Sequence, residues 1–243
     1  SVTGMQMFMV VQAWLVYDLT GSALQLGLLA FFRAVPSLIL GLVGGVFADK
    51  VDQRRLLIVT NTGIAAIYLI LGVLTLSGII QVWHILTSAF LVGGLQAFNQ
   101  PSRQAIFPNL IDRKDMTSAV ALNSTVHPGT RIFAPLLAGV IIDYVGVPRQ
   151  GAGFAILIVA FAYLIFGLMM VTVRLPEINR ATRGNGLQNI VDGMKYIGAR
   201  PVFRILILTS FMNAFFGMSH VTLMPIFAEK LLGTASGSGI SLL

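Results

Sequence analysis

Long apolar segments, separated by short breaks rich in glycine, proline and charged residues, constrain this chain more than any other feature. A helix needs about 20 mainly apolar residues to cross the ~30 Å hydrocarbon core of a bilayer. The apolar residues run continuously and do not alternate, which favours helices over the strands of a membrane barrel. We therefore predict an all-α membrane protein whose spanning segments are Val2–Tyr17, Leu24–Phe47, Leu56–Gly78, Val82–Phe98, Ala119–Ile142, Gly151–Val173 and Ile205–Phe227.

Composition argues against the soluble classes and against an enzyme. Only 10% of the residues are charged and 56% are hydrophobic, whereas ordinary soluble domains carry about 25% charged residues. The formal net charge of +7 comes from short basic islands between apolar segments, which do not form a nucleic-acid-binding face. The chain has no cysteine, and its three histidines lack the spacing of a metal motif. We expect no nucleic-acid partner, no metal, no cofactor and no enzymatic activity.

Basic residues are distributed unevenly between the two sets of predicted loops. Twelve of the 16 lie in the connections between helices 2 and 3, 4 and 5, and 6 and 7, whereas Arg149 and Lys230 lie on the opposite side. Cytoplasmic loops of membrane proteins carry an excess of Lys and Arg. This asymmetry predicts that the basic loops and the amino terminus are cytoplasmic.

Two of the basic loops are expected to contain helices of their own. The connection over residues 174–204 begins with a polar stretch, after which apolar residues recur at helical spacing: Leu187, Ile190, Val191, Met194 and Ile197. This pattern predicts an amphipathic helix, which either lies on the membrane interface or packs on the bundle from the cytosol. A second, short interfacial helix is predicted between Pro101 and Ile111.

A weak internal repeat divides the chain. Shifting the sequence by 212 residues brings Leu19, Gly21, Ala23 and Gly27 onto Leu231, Gly233, Ala235 and Gly239, and both stretches follow a predicted span at its outer end. Parallel repeats of six helices are a transporter architecture. We therefore expect a six-helix half over residues 1–173, a linker over 174–204, and the incomplete start of a second half over 205–243. On this interpretation the chain is a fragment, truncated at both ends, that stops early in helix 8.

The motif with the clearest chemistry lies between helices 2 and 3, where residues 45–55 read GVFADKVDQRR. It resembles the signature of the major facilitator superfamily, with Gly45, Asp49, Lys50 and Arg54 at signature positions. Asp52 replaces a glycine of the signature, and Gln53 replaces a basic residue. The resemblance implies that Asp49 meets the amino terminus of a facing helix and is held there by Arg54 or Arg55, which latches the cytoplasmic side. A basic loop that only sets the topology is the alternative.

The resemblance covers the whole chain and extends to the bacterial branch formed by the enterobactin exporter and related secretion carriers. Its residues include WLVYDLTGSALQLGLL, QPSRQAIFPNLI and, in helix 5, the APLLAG segment with Pro135 and Gly139, which is similar to a motif of export-type antiporters. A bundle of the major facilitator type in the bacterial inner membrane is implied. So is a monomeric, proton-coupled secondary active transporter that exports a small siderophore- or drug-like molecule by alternating access. A transport-fold sensor, or another membrane protein that does not transport, is the alternative.

Polar residues inside the predicted spans are the candidate substrate-binding residues. Charged side chains in the bilayer centre are costly and usually face a cavity or a partner. We predict a positively lined central cavity, suited to an anionic or hydrogen-bonding amphiphile, formed by Arg33, Asn123, His127, Arg131, Asn213 and His220. His127 and His220 are also the candidate proton-binding groups. The alternative for each residue is an interhelical hydrogen bond that only fixes packing.

Overall fold

The computed structural model describes residues 2–107, 111, 113–172, 195–213 and 216 of the 243-residue chain, with the backbone alone at residues 42, 43, 45–50, 113 and 127. All regular structure within these ranges is helical, which confirms the predicted fold class. The helices are α1 (Val2–Thr20), α2 (Ala23–Lys50), α3 (Gln53–Leu76), α4 (Val82–Ile106), α5 (Met116–Tyr144), α6 (Pro148–Thr172) and α7 (Pro201–Met212).

Four of the described helices are long and apolar enough to cross a membrane by length and composition: α2 over Ala23–Gly41, α3, α5 and α6. The α1 and α4 helices reach similar lengths but carry polar side chains such as Gln12 and Asn99, which are buried inside the bundle. The α7 helix covers the beginning of the seventh predicted span, and none of its residues is buried. Most of the rest of that span, up to Phe227, lies outside the described residues.

Tight glycine turns connect the helices in pairs. Gly21, Gly78 and Gly146 follow the carboxyl ends of α1, α3 and α5, and their φ angles are 59°, 72° and 70°. Positive φ is readily adopted only by glycine, which is why this residue commonly ends a helix. All three turns lie on the side of the bundle where few basic residues occur. The neighbouring helices α1–α2, α3–α4 and α5–α6 are therefore antiparallel pairs.

Packing places α1 inside the bundle. Every residue from Val11 to Val16 is buried, and α1 contacts α2, α4, α5 and α6. The most extensive packing joins α3 to α6 and α2 to α4. Small residues permit the α2–α4 approach, since a Cβ atom on Gly44 or Gly93 would overlap a backbone carbonyl oxygen of the facing helix. The first six helices thus form one packed unit.

The short helix predicted between Pro101 and Ile111 is wrong as a separate element, because α4 continues through Pro101 to Ile106. Proline lacks an N–H group and leaves the carbonyl oxygen of Ala97, four residues earlier, without its helical donor. That oxygen faces Gly44 of α2. Beyond the proline, Ser102 is fully buried, and just before it the amide of Asn99 donates to Thr60 Oγ1 of α3 at 2.8 Å. Tertiary contacts on both sides of Pro101 keep the helix intact.

The α5 helix packs along only part of its length. Ala134, Ala138, Gly139 and Ile142 in its second half are buried, where α5 meets α1 and α6. In its first half, residues 116–133, none of the described side chains is buried. Of the linker helix, residues 195–199 are helical, and the remainder of the predicted amphipathic segment lies outside the described residues.

Candidate functional site

A cluster of polar side chains crosses the interior of the bundle between α1, α2 and α4. Arg33 Nη2 of α2 donates a hydrogen bond to Gln12 Oε1 of α1. Gln12 Nε2 in turn donates to Ser88 Oγ of α4 at 3.2 Å and to the Ile85 carbonyl oxygen at 3.3 Å. We call Gln12, Arg33 and Ser88 the inner polar cluster. It joins three helices through side chains alone.

The position of Gln12 in this cluster is fixed from two sides. Its side chain is fully buried, and its NH₂ group is used by α4 while its oxygen is used by Arg33. The Ser88 hydroxyl also donates to the Ile85 carbonyl oxygen at 2.7 Å, within its own helix. Because a flipped amide would put two donors against the guanidinium, only one orientation satisfies all partners. These hydrogen bonds therefore orient the Gln12 oxygen toward Arg33.

Arg33 itself lies deep in its span. It is the eleventh of the 19 residues in the apolar stretch Ala23–Gly41, which places it about 15 Å from the start of α2. It is partly exposed, whereas its partner Gln12 is not. Among the described side chains, no carboxylate forms an ion pair with it. A positive charge at this depth, held by one neutral amide, is the most unusual feature of the bundle.

Aromatic and small residues set the surroundings of Arg33. Its backbone carbonyl oxygen lies against Gly93 of α4. Tyr68 of α3 is close enough to interact with it electrostatically. The Tyr68 ring stacks on Phe8 with centroids 3.8 Å apart and meets Tyr163 edge-on at 5.6 Å. These ring contacts join α1, α3 and α6 beside Arg33.

Of the other predicted cavity residues, those whose side chains the structure describes are not joined to this cluster. Asn123 and Arg131 are exposed residues on α5, and residues 123, 127 and 131 recur every four positions and share a helix face. Asn213 is exposed just after α7, and His220 lies outside the described residues. No hydrogen bond or ion pair between described side chains connects Arg33 to any of them. Of the export-type motif in α5, Gly139 is buried and Pro135 is partly buried.

In the signature loop between α2 and α3, the described contacts of the two arginines are with the end of α6 and with Asp52. Gly45, Asp49 and Lys50 occupy the last two turns of α2. Arg54 Nε donates to the Met170 carbonyl oxygen at 2.8 Å, and its Nη2 group donates to the Val171 carbonyl oxygen. Arg55 forms an exposed ion pair with Asp52 at 3.8 Å. The pairing of Asp49 with an arginine stays a prediction.

Sequence reasoning missed three residues that organise this half. Gln12 is one; a buried amide inside an apolar span was the available signal. Asp52 is another, because it caps the amino terminus of α3 by accepting from the Arg54 and Arg55 N–H groups at 3.0 and 3.4 Å. The third is Asp18, which pairs with Arg149 at 2.7 Å and joins the end of α1 to the start of α6. No local pattern could have predicted that long-range pair.

Comparison with known proteins gives the family. A family model described as a transmembrane secretion effector matches residues 1–242. The chain belongs to this family of major facilitator transporters. It is 34% identical over 220 residues to the staphyloferrin A transporter of Staphylococcus aureus, an alignment that covers 90% of this chain and 54% of the relative. No solved structure matches the chain significantly.

Two further relatives are named for efflux. Macrolide efflux protein A of Streptococcus pyogenes is 22% identical over 210 residues, with 85% of this chain and 51% of the relative aligned. The protein of the same name from Enterococcus faecalis is 23% identical over 211 residues, with 85% and 63% aligned. The chain thus spans about half the length of the curated relatives it matches. The predicted membership of the major facilitator superfamily is confirmed, and these relatives are transporters by name rather than enzymes.

Proposed function

We propose that this chain supplies the first six helices, and the beginning of the second half, of a secondary active transporter that exports a small organic molecule by alternating access. The observation that carries the proposal is Arg33 in the middle of α2, held by Gln12 inside the six-helix bundle. Ionisable residues at such depth are expensive and occur on substrate or ion pathways. Relatives named for staphyloferrin A transport and macrolide efflux support a siderophore- or drug-like substrate.

The gate on the cytoplasmic side belongs to the same proposal. Asp49, near the end of α2, meets the second half of the transporter when the carrier is closed to the cytoplasm. Asp52 and Arg54 support this loop by capping α3 and by tying it to the end of α6. Asp49→Asn is then expected to reduce transport while insertion and expression stay normal. Transport at the wild-type rate in this variant would remove the latch from the mechanism.

Proton coupling, a monomeric state and residence in the bacterial inner membrane complete the proposal. The candidate proton-binding groups are His127 and His220, on α5 and in the seventh predicted span. His127→Gln is expected to flatten the pH dependence of transport, because glutamine keeps a hydrogen-bonding side chain without a titrating group.

An efflux assay in cells that express the gene encoding this chain tests the proposed function. Cells are loaded with a panel of macrolides, dyes and siderophores, and the intracellular amount is followed with and without a protonophore. We expect faster loss of at least one compound than in cells with an empty vector, and no difference once the protonophore is present. Accumulation that is unchanged for every compound would favour the alternative, a sensor with a transporter fold.

A further inference from the structure

We infer that the Arg33 guanidinium, oriented by Gln12, is the subsite that binds a carboxylate group of the transported molecule. The inference rests on the proposed function, since it names the chemical class that the transporter accepts. It commits to an organic carboxylate because the planar, forked guanidinium matches two carboxylate oxygens at once.

The positive charge of Arg33 has no counter-charge among the described side chains. Arg33 cannot lose its proton in a protein, so its positive charge stays in the middle of the span. Among the described side chains its partner is the Gln12 amide oxygen, which supplies a dipole but no negative charge. A carboxylate that arrives in this low-dielectric setting gains more from the guanidinium than it would in water. The cluster is therefore short of one anion.

The guanidinium of Arg33 offers more N–H donors than Gln12 uses. A guanidinium has five N–H groups, and Gln12 occupies one of them. Gln12 is buried and anchored to α4, whereas Arg33 is partly exposed. Gln12 therefore fixes the orientation of the guanidinium and leaves four of its N–H groups unused by that amide. A ligand then loses little entropy of the arginine side chain on binding, because that side chain is already ordered.

The backbone of Arg33 is also held in place, by close packing against α4. Its carbonyl oxygen is pressed against Gly93, so α2 and α4 cannot separate at this level without losing one of their close backbone contacts. Ser88, which anchors Gln12, lies on the same helix as Gly93. The Arg33 backbone and the Gln12 side chain are thus both held against α4. A rigidly held Arg33 suits ligand binding better than a role in which its side chain has to move during transport.

A structural role for the cluster makes a different prediction. If Arg33 only ties α1 to α2, its replacement would weaken the fold and would reduce the binding of charged and neutral compounds alike. If it binds a carboxylate, the loss is confined to anions. Two probes that differ only at that group separate the two roles: dansyl-glycine, which carries a carboxylate, and dansyl-glycinamide, which is neutral.

The experiment measures binding of each probe, by dansyl fluorescence, to the purified protein in lipid nanodiscs. We expect wild type to bind dansyl-glycine more tightly than dansyl-glycinamide by roughly tenfold or more, the value of a charge-assisted hydrogen bond. Arg33→Gln should abolish this preference and leave the amide affinity within about twofold. Arg33→Lys should keep part of the preference, because the charge remains while the fork is lost. Arg149→Gln removes a positive charge at the outer turn and should change neither affinity.

Gln12→Glu provides a variant that keeps Arg33 in place. The new carboxylate has the shape of the amide and supplies the missing anion from within the protein, and the Ser88 hydroxyl can donate to it by turning away from the Ile85 carbonyl oxygen. We expect this variant to lose the preference for dansyl-glycine even if Arg33→Gln does not fold. Retention of the full preference in Gln12→Glu, or no preference in wild type, would overturn the inference. If the wild type prefers dansyl-glycine but the protein fails the efflux assay, the proposed function is contradicted and the carboxylate subsite is still supported.

Discussion

Arg54 Nε donates to the carbonyl oxygen of Met170 at 2.8 Å, which ties the loop between α2 and α3 to the carboxyl end of α6. The last carbonyl groups of a helix have no partner within the helix and form the negative end of its dipole. A guanidinium that reaches two of them satisfies both the hydrogen bonds and the charge. The described part of α6 ends at Thr172, so Arg54 fixes the position of its last turn.

Replacing Arg54 is therefore expected to loosen the end of α6. Arg54→Gln should cost on the order of 1 kcal/mol and should speed amide hydrogen exchange in the last turn of α6, Leu168–Thr172. Arg55→Gln is the matched control, since Arg55 lies one residue away in an exposed ion pair that contributes little. Equal exchange rates in the two variants would show that Arg54 does not cap α6.

Asp52 is expected to stabilise α3 as its amino-terminal cap. Asp52→Ala should lower the free energy of unfolding by about 1 kcal/mol, whereas Asp52→Asn should retain most of it, because the amide oxygen can accept the same N–H bonds. Asp52→Gly, which restores the glycine of the superfamily signature, should cost only a few tenths of a kcal/mol. Thermal unfolding in detergent gives the ranking. An asparagine variant as unstable as the alanine variant would contradict the cap.

The spanning helices could be predicted from the sequence because their signal is local. Continuous apolar runs and glycines at their ends are enough to locate α2, α3, α5 and α6 and the turns at Gly21, Gly78 and Gly146. The end of α4 was not predictable in this way. Pro101 is a local helix-breaking signal, and the contacts that override it, at Gly44, Thr60 and the buried Ser102, are tertiary.

The candidate site likewise combines a residue that the sequence could predict with a partner that it could not. Depth in a span singled out Arg33, because charge in an apolar run is visible in the sequence. Its partner Gln12 could not be assigned, since the pairing depends on how α1 packs between α2 and α4. The shared face of Asn123, His127 and Arg131 follows from helical periodicity alone.

The ion pair between Asp18 and Arg149 is expected to contribute only weakly. The two side chains are 29% and 53% exposed, and water and salt screen such pairs. A double-mutant cycle with Asp18→Asn and Arg149→Gln should give a coupling energy below about 1 kcal/mol at low salt, which vanishes near 1 M salt. The same cycle with Asp143→Asn, another acid at this end of the bundle, should show no coupling. A coupling that persists at high salt would indicate a gating contact instead.

The proposed orientation predicts opposite accessibility for two exposed positions. The chain has no cysteine, so single cysteines can be introduced on a clean background. Ser77→Cys, at the turn after α3, should react with a membrane-impermeant maleimide from outside the cell. Gly198→Cys, in the linker helix, should react only after the membrane is opened. Ser77 is preferred over Gly78, whose φ of 72° would strain a cysteine. Labelling of Gly198→Cys in intact cells would reverse the topology.

Two adjacent glycines of α4 offer the sharpest test of the α2–α4 contact that positions Arg33. A Cβ atom at Gly93 would overlap the Arg33 carbonyl oxygen, and backbone cannot move aside cheaply. A Cβ atom at Gly94 would lie 3.5 Å from Leu40 Cδ1, which is ordinary van der Waals contact. Both substitutions change the same helix in the same way, and alanine has the better intrinsic helix propensity at either position.

We therefore expect Gly93→Ala to destabilise the protein by roughly 1–3 kcal/mol through overpacking, and Gly94→Ala to be neutral or slightly stabilising. Thermal unfolding in nanodiscs gives the difference between the variants. Binding of dansyl-glycine adds a second readout, because a shift of α2 at residue 33 would move the guanidinium away from Gln12. Gly93→Ala should then lose part of the preference for the carboxylate probe, while Gly94→Ala keeps it. Equal stability and equal binding in the two variants would mean that the close approach of α2 to α4 does not hold Arg33 in place.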